Sequence, residues 1–457
     1  MMELSFGEIA EAVNGRLIGG DANARVRGVS TDSREAIEKN DLFFPLIGKT
    51  HDAHRFIQDA TLAGCVNFVV SREDAAPADG SANVILVADT TRALQDLARF
   101  CLRRLDLKKL AVTGSTGKTT TKEMLAHICG ARYKTAKSPA NMNNEIGLPL
   151  SILRMEKGAE ALVLEMGMYR AGEIDLLADI VRPNVGVITN VGTAHIENFE
   201  NGDGIRDAKL EISGYMGPRD TLIVNATGDG AAELVARAAG PYGLIKVGNT
   251  GKSDFILSGV KSDNEKGISF FLEHGEEMRR FFLPILGIHN ATNAALAVAA
   301  ASCVGISMEE AAKRLNKFNL SSKLTGKNGM KVIDDTYNAN PDSMRAALDM
   351  LETVRGIRKV AVLGDMNELG ERSVEYHRQI GAYAAKKGVN LIIAVGEKAA
   401  GIAEGAREAK PALDVLHFET KDDAWGEMKG ILTAGDVILV KGSRGMAMET
   451  LVKRILE

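Results

Sequence analysis

The run Thr113-Gly114-Ser115-Thr116-Gly117-Lys118-Thr119-Thr120 is the part of the chain best equipped for chemistry on phosphate. Glycines let main-chain N–H groups approach anionic oxygens, a helix N-terminus favours negative charge, and Lys118 adds a mobile positive donor. The Thr119 hydroxyl can hold a magnesium ion. The longer nucleotide-binding signature would place glycine where this chain has Val112, so the match is to the shorter GxxGKT form.

Further candidates fall at the ends of apolar runs. Ala161–Leu164 ends in Glu165, which can hold the metal of bound ATP or simply pair with a surface lysine. The run Val185–Val191 delivers Thr193, His195 and Glu197, where His195 is either structural or a ligand. Ahead of both, after the helix that follows the phosphate loop, lies a loop dense in asparagine, with Asn141, Asn143 and Asn144. Lys209 reads as an ordinary exposed lysine on a helix. His289, Asn290 and Asn293 open an alanine-rich helix, which they could merely cap. Near the C-terminus, Asp335, Tyr337, Asn338 and Asn340 follow one short strand, and Ser443 and Arg444 follow another. Near the N-terminus, the clusters Ser30–Arg34 and Gly48–His54 are either ligand-facing or plain solvated turns.

The elements that must position these groups are short apolar strands alternating with amphipathic helices, each strand ending in glycine and polar residues. That pattern predicts an α/β protein of three domains. Residues 1–88 form a small α/β domain and 89–320 a central domain of the P-loop ATPase type. Residues 321–457 form a Rossmann-like, doubly wound domain. Period-2 alternation over 255–282 predicts an antiparallel insertion. Short linkers near 88–91 and 318–322 suit hinge motion.

Composition narrows the function classes. The chain has 457 residues, 45% hydrophobic and 25% charged, with a net charge of −4 and no basic run, which disfavours nucleic acid. Its longest apolar stretch, Ala294–Cys303, is too short to span a bilayer, so no membrane partner is expected. Cys65, Cys101, Cys129 and Cys303 lack metal-ligand spacing and suit buried free thiols. No basic segment followed by an apolar core is visible at the start, and the expectation is a cytoplasmic enzyme.

Taken together, the motifs resemble the Mur ligases of bacterial cell-wall synthesis across the whole chain. The matching pieces, in order, are TGxxGKT at Thr113–Thr119, NNEIG at Asn143–Gly147, the strand ending in Glu165, and the His195 segment. They continue with AKxE at Ala208–Glu211 and GxHNxxN at Gly287–Asn293. The third-domain forms DTYNANP, LGDMNELG and VKGSRGMAME resemble the branch of the family that adds D-alanyl-D-alanine.

The resemblance implies that ATP and Mg2+ are the cofactors, bound through Gly114, Ser115, Thr116, Gly117, Lys118, Thr119 and Thr120, with Asn144, His289, Asn290, Asn293 and Lys327 also near nucleotide. It implies a first magnesium on Thr119 and Glu165, and a second on His195 and a carbamylated Lys209. Lys118, His195, Lys209 and Asp335 would carry catalysis. Ser30, Asp32, Ser33, Arg34, Asp52 and His54 would grip UDP-N-acetylmuramoyl-tripeptide. Tyr337, Asn338, Asn340, Ser443 and Arg444 would face D-alanyl-D-alanine.

Two departures stand out: Ala53 replaces a usual glycine, and Lys327 stands where an arginine often follows Gly326. A monomer is expected. The implied reaction phosphorylates the tripeptide carboxylate and lets the dipeptide amine displace phosphate, with Asp335 or the released phosphate taking the proton. The alternatives are a sister ligase adding one amino acid, a folylpolyglutamate-type synthetase, or a nucleotide switch that makes no bond.

Overall fold

The computed structural model of the chain describes residues 3–35, 37–48, 51–77, 80, 82–192, 196–199, 202–228, 230–263, 265–319 and 324–457. Nearest the N-terminus, Ser5 and Glu8 form a capping box that starts the helix Phe6–Ala12. Behind it stands a five-stranded sheet in the order Arg16–Gly19, Asn83–Leu86, Asn67–Val70, Asp41–Phe43, Gly28–Ser30. The last four strands are mutually parallel and Arg16–Gly19 is antiparallel to its neighbour.

The central sheet has nine strands. From one edge it runs Thr135–Lys137, Ala161–Glu165, Lys108–Thr113, Val185–Ile188, Thr221–Asn225, Gly243–Gly248 and Phe255–Ser262, all parallel. Ile268–His274 and Glu277–Leu283 then complete an antiparallel hairpin, where period-2 alternation predicts one. The chain leaves Ala161–Glu165 on one side of Lys108–Thr113 and returns as Val185–Ile188 on the other. Strand order therefore reverses at Thr113, which opens a crevice beyond the carboxyl ends of these three strands.

A third sheet of six strands lies C-terminal. Its order is Leu324–Lys327, Met330–Asp334, Asp436–Lys441, Arg358–Gly364, Leu391–Val395, Asp414–Phe418. All pairs are parallel except the first. Apolar side chains fill both faces of this sheet. On one side the helices Ser373–Lys386 and Ala400–Ala409 cross so closely that a Cβ on Gly405 would lie 2.0 Å from the Arg378 carbonyl oxygen. Gly405→Ala is expected to cost about 1–3 kcal/mol of unfolding free energy through overpacking, read as a lower urea midpoint at unchanged slope.

Cys65, Cys101 and Cys129 are buried as expected, whereas Cys303 is exposed. Among the described residues, no helix is long and apolar enough to cross a membrane.

Candidate active site

The crevice at the strand reversal is built on the loop after Thr113. Gly117 adopts φ +78° and begins the helix Lys118–Cys129. A Cβ there would lie 2.5 Å from Asn293 Oδ1, so this position requires glycine on two counts. Lys118 folds back across the loop, and its Nζ donates to the carbonyls of Gly114 at 2.8 Å and Ser115 at 3.3 Å. Burial lowers its pKa, against the opposing pull of the Glu165 charge. The amides of Ser115 and Thr116 donate to Asn190 Oδ1 at 3.0 and 2.9 Å. Asn190 thus ties the loop to the end of the neighbouring strand.

Behind the loop, Thr119 Oγ1 donates to Glu165 Oε2 at 2.8 Å, and Asn143 Nδ2 donates to Glu165 Oε1 at 2.8 Å. Glu165 is 2% exposed. A hydroxyl and a carboxylate held together beside a phosphate loop are the hard oxygen donors that magnesium takes alongside phosphate oxygens, so the residues present fit that ion.

Lys209, far from being an exposed helical lysine, is 1% exposed. Its pKa falls well below the ordinary value, first because burial disfavours the ammonium and then because Lys118 adds like charge. His195 and Thr193 lie outside the described residues, as does Thr50.

Several other sequence-selected residues are also drawn to this crevice. Asn293 Nδ2 donates to Asn290 Oδ1 at 3.0 Å, and Asn290 Nδ2 to the Leu286 carbonyl at 2.7 Å. These bonds set the start of the helix Asn290–Ser302 against Gly117, and His289 stands directly before it.

The C-terminal sheet presents its carboxyl edge to the same place. Tyr337 is half exposed, and partial burial with the Glu165 charge raises its phenol pKa. Asp342 reaches Gly192, where a Cβ would lie 2.1 Å from its Oδ2. The Gly370 amide donates to Glu197 Oε2 at 3.3 Å. Asp335 Oδ2 lies 2.8 Å from Nζ of the buried Lys441, which also donates to the Asn338 carbonyl at 2.7 Å.

Other candidates have partners within the chain. Asn144 Oδ1 accepts from the Gly147 amide at 2.8 Å and begins the helix Gly147–Leu153, and it is Asn143 that reaches Glu165. Asn340 caps the helix Pro341–Thr353 in a reciprocal pair with Ser343. Ser443 is buried, its hydroxyl accepting from the Asn367 amide at 2.8 Å and donating to the Ala339 carbonyl at 3.3 Å. Arg444 is exposed and pairs with Glu449 at 3.0 Å.

Lys327 is not brought to the crevice. Antiparallel pairing sets it opposite Met330, at the amino end of the strand whose other end carries Asp334, and its Nζ engages the Glu457 carbonyl.

In the N-terminal unit, Arg34 forms a bidentate pair with Asp32 at 2.8 and 2.6 Å, which holds that carboxyl down at about 2. Ser30 Oγ donates to the Asp32 carbonyl at 3.1 Å, and Ser33 occupies the turn between Asp32 and Arg34. Arg154, from the central unit, clamps this loop through the Val29 carbonyl at 3.1 Å and Glu35 at 2.5 Å. His54 is buried, and its Nε2 accepts from the Ser71 amide at 3.0 Å. Its Nδ1 therefore carries the proton and donates to Asp52 Oδ1 at 2.7 Å.

Sequence reasoning did not select Asn190, Asp342 or Lys441. Their signal was position alone: Asn190 and Lys441 lie at or just past strand ends at the crevice, and Asp342 in the first turn of the helix that follows another.

Comparison with known proteins gives a consistent pattern. Residues 112–301 match the Mur ligase middle domain, and residues 322–444 match the Mur ligase glutamate ligase domain. The UDP-N-acetylmuramoyl-tripeptide–D-alanyl-D-alanine ligase of Bacillus subtilis (strain 168) is 38% identical over 463 aligned positions, covering 100% of this chain and 99% of its own. The crystal structure of MurF from Acinetobacter baumannii superposes with a TM-score of 0.90 at 33% identity, covering 100% of this chain and 99% of that one. MurF ligase from Thermotoga maritima, solved in complex with ADP, gives a TM-score of 0.81 at 28% identity over 94% of this chain and 96% of its own.

Proposed function

Because this chain belongs to the Mur ligase family, we propose that its crevice joins D-alanyl-D-alanine to UDP-N-acetylmuramoyl-tripeptide, forming an amide at the expense of ATP. The observation that carries the reading is the Thr119–Glu165 pair directly behind Lys118 and the phosphate loop, faced by the carboxyl edge of the C-terminal sheet.

A carboxylate is too poor an electrophile to react with an amine, and ATP supplies the remedy by converting it to an acyl phosphate. Thr119 and Glu165 would hold magnesium, which when bound would neutralise charge on the phosphate oxygens. Lys118 turns from the Gly114 and Ser115 carbonyls toward the transferring phosphoryl group, while the loop amides orient it. Tyr337 and Asp342 line the C-terminal side of the crevice, and closure over bound substrates would exclude water, which would otherwise hydrolyse the acyl phosphate. The dipeptide amine then attacks the acyl carbon and phosphate leaves. With Asp335 engaged by Lys441, the departing phosphate takes the amine proton.

Burial and the Lys118 charge disfavour the Lys209 ammonium and so favour its free amine, the form that is nucleophilic toward carbon dioxide. Its nitrogen would bond the carbon and release a proton, leaving a carbamate that can hold a second magnesium together with His195.

The division of labour follows the three sheets. Residues 1–88 bind the uridine nucleotide through Ser30, Asp32, Ser33 and Arg34, with His54 orienting Asp52. Residues 89–320 bind ATP. Residues 321–457 bind the dipeptide through Tyr337, Asn338 and Arg444, with Asn340 and Ser443 shaping their loops. The reading is of a cytoplasmic monomer.

Phosphate release from Mg-ATP and UDP-N-acetylmuramoyl-tripeptide, compared across acceptors with product mass recorded, tests the reading. Release that depends on D-alanyl-D-alanine, with a product heavier by the dehydrated dipeptide, is expected. Release that needs only a single amino acid would move the assignment to a sister ligase, and release without acceptor to a nucleotide switch.

A further inference from the structure

One buried charge near the crevice has no part in that scheme. Lys122 lies on the helix Lys118–Cys129, three residues past Thr119 and so on the same face, and it is 0% exposed. All three of its N–H groups are used. Nζ donates to the Ser138 carbonyl at 2.8 Å and the Ala140 carbonyl at 3.2 Å, and it lies 3.1 Å from Glu123 Oε1.

The two carbonyls belong to the asparagine-rich loop. Ser138 is also fully buried, and its hydroxyl accepts from the Glu165 amide at 3.1 Å. Ala140 is held at φ +39°, a region where a side chain with a Cβ is strained. Three residues later Asn143 donates to Glu165 Oε1, and its carbonyl accepts from the Gly167 amide at 2.9 Å. The contacts close a ring: helix to Glu165 through Thr119, Glu165 to loop through Asn143 and Ser138, and loop back to helix through Lys122. A methionine of similar length would fill the space without desolvating an ammonium. What the ammonium adds is a hold on two carbonyls of a strained loop.

We propose that Lys122 is a positioning residue for the magnesium site. By gripping the Ser138 and Ala140 carbonyls it fixes residues 138–143, so that Asn143 and Ser138 keep the Glu165 carboxylate aimed at Thr119. The proposal rests on the Mg-ATP reading above and adds to it the group that preorganises the metal pocket.

The test is ADP binding by calorimetry on the full chain, with Mg2+ and with EDTA. In Lys122→Met the gain in ADP affinity from Mg2+ is expected to shrink about 10–100-fold, the usual effect of removing a partner behind a metal ligand, while affinity in EDTA stays within about twofold. Lys122→Gln retains one donor to the loop, and a smaller shift in the same direction is expected. It decides the matter should Lys122→Met not fold. Asn143→Ala combined with either variant is expected to add less than its effect alone, because both act through one carboxylate.

An unchanged Mg2+ gain would overturn the proposal. So would a parallel loss in EDTA, or failure of both lysine variants to fold, since each would mark a role in the core rather than at the metal. A wild-type chain that binds ADP with no gain from Mg2+ would refute the Mg-ATP reading itself, a result distinguishable from all of these.

Discussion

Lys118→Ala is expected to slow acceptor-dependent phosphate release about 10³-fold, equivalent to about 4 kcal/mol of transition-state stabilisation. The side chain has two free-energy roles of unequal size. In the resting structure its Nζ holds only the carbonyls of its own loop, at 2.8 and 3.3 Å, which an ordinary hydrogen bond values at about 1 kcal/mol each. In the proposed phosphoryl transfer the same ammonium would meet charge developing on the phosphoryl oxygens in a desolvated crevice, where a fixed donor is worth far more. The change should therefore fall on kcat with little loss of folding stability. Steady-state kinetics beside a thermal melt check this. A melt that collapses in step with activity would show that Lys118 chiefly maintains the loop.

Lys209 should show the second large effect, with a distinctive dependence on pH. Lys209→Met is expected to lower turnover about 10²–10³-fold, as removal of one preorganised charged group at a phosphoryl-transfer site does. In buffer free of carbon dioxide the unfolded chain carries a proton on this amine up to the ordinary lysine range, near 10.4, whereas burial and Lys118 make the folded chain give it up at lower pH. Between those two values the unfolded state binds more protons, so folding stability rises with pH across that window. Removing the amine should flatten that rise and stabilise the chain at neutral pH even as activity disappears. Urea titrations of wild type and variant at several pH values, done without carbon dioxide, provide the check. An unaltered pH slope would mean the amine is not desolvated in the native state.

Much of this was legible in the sequence because the decisive features are local. The strand Lys108–Thr113 is an apolar run broken by glycine, and the lysine and threonines that follow announce a phosphate loop whatever surrounds them. Glu165 was legible for the same reason, as a carboxylate at the end of a fully buried strand. Burial of Lys209 was not, since nothing in the segment 206–212 reveals that the helix Gly202–Leu210 turns this residue inward; tertiary packing decides it.

The edge strands Thr135–Lys137, Leu324–Lys327 and Asp414–Phe418 escaped notice as well. Each is short and only partly buried, so its hydrophobic signal is weak. Of the asparagines the resemblance singled out Asn144, whereas Asn143 is the one that reaches Glu165 and Asn144 starts a helix, a choice that depends on a one-residue difference in loop direction. For Lys327 the motif fixed only a residue type beside Gly326, whereas the antiparallel register sets it opposite Met330, away from the crevice. His195, the remaining ligand that the family resemblance implies, lies outside the described residues.

The most direct test of the central claim, that the substrate carboxylate attacks the γ-phosphorus, is the fate of its oxygen. UDP-N-acetylmuramoyl-tripeptide labelled with 18O in its terminal carboxyl group should be turned over with Mg-ATP and D-alanyl-D-alanine, and the released phosphate examined by mass. One 18O atom per phosphate is the expected result, because the bridging oxygen of an acyl phosphate leaves with phosphorus when the amine displaces it. Phosphate carrying only unlabelled oxygen would contradict the account and show that ATP is hydrolysed without activating the carboxylate.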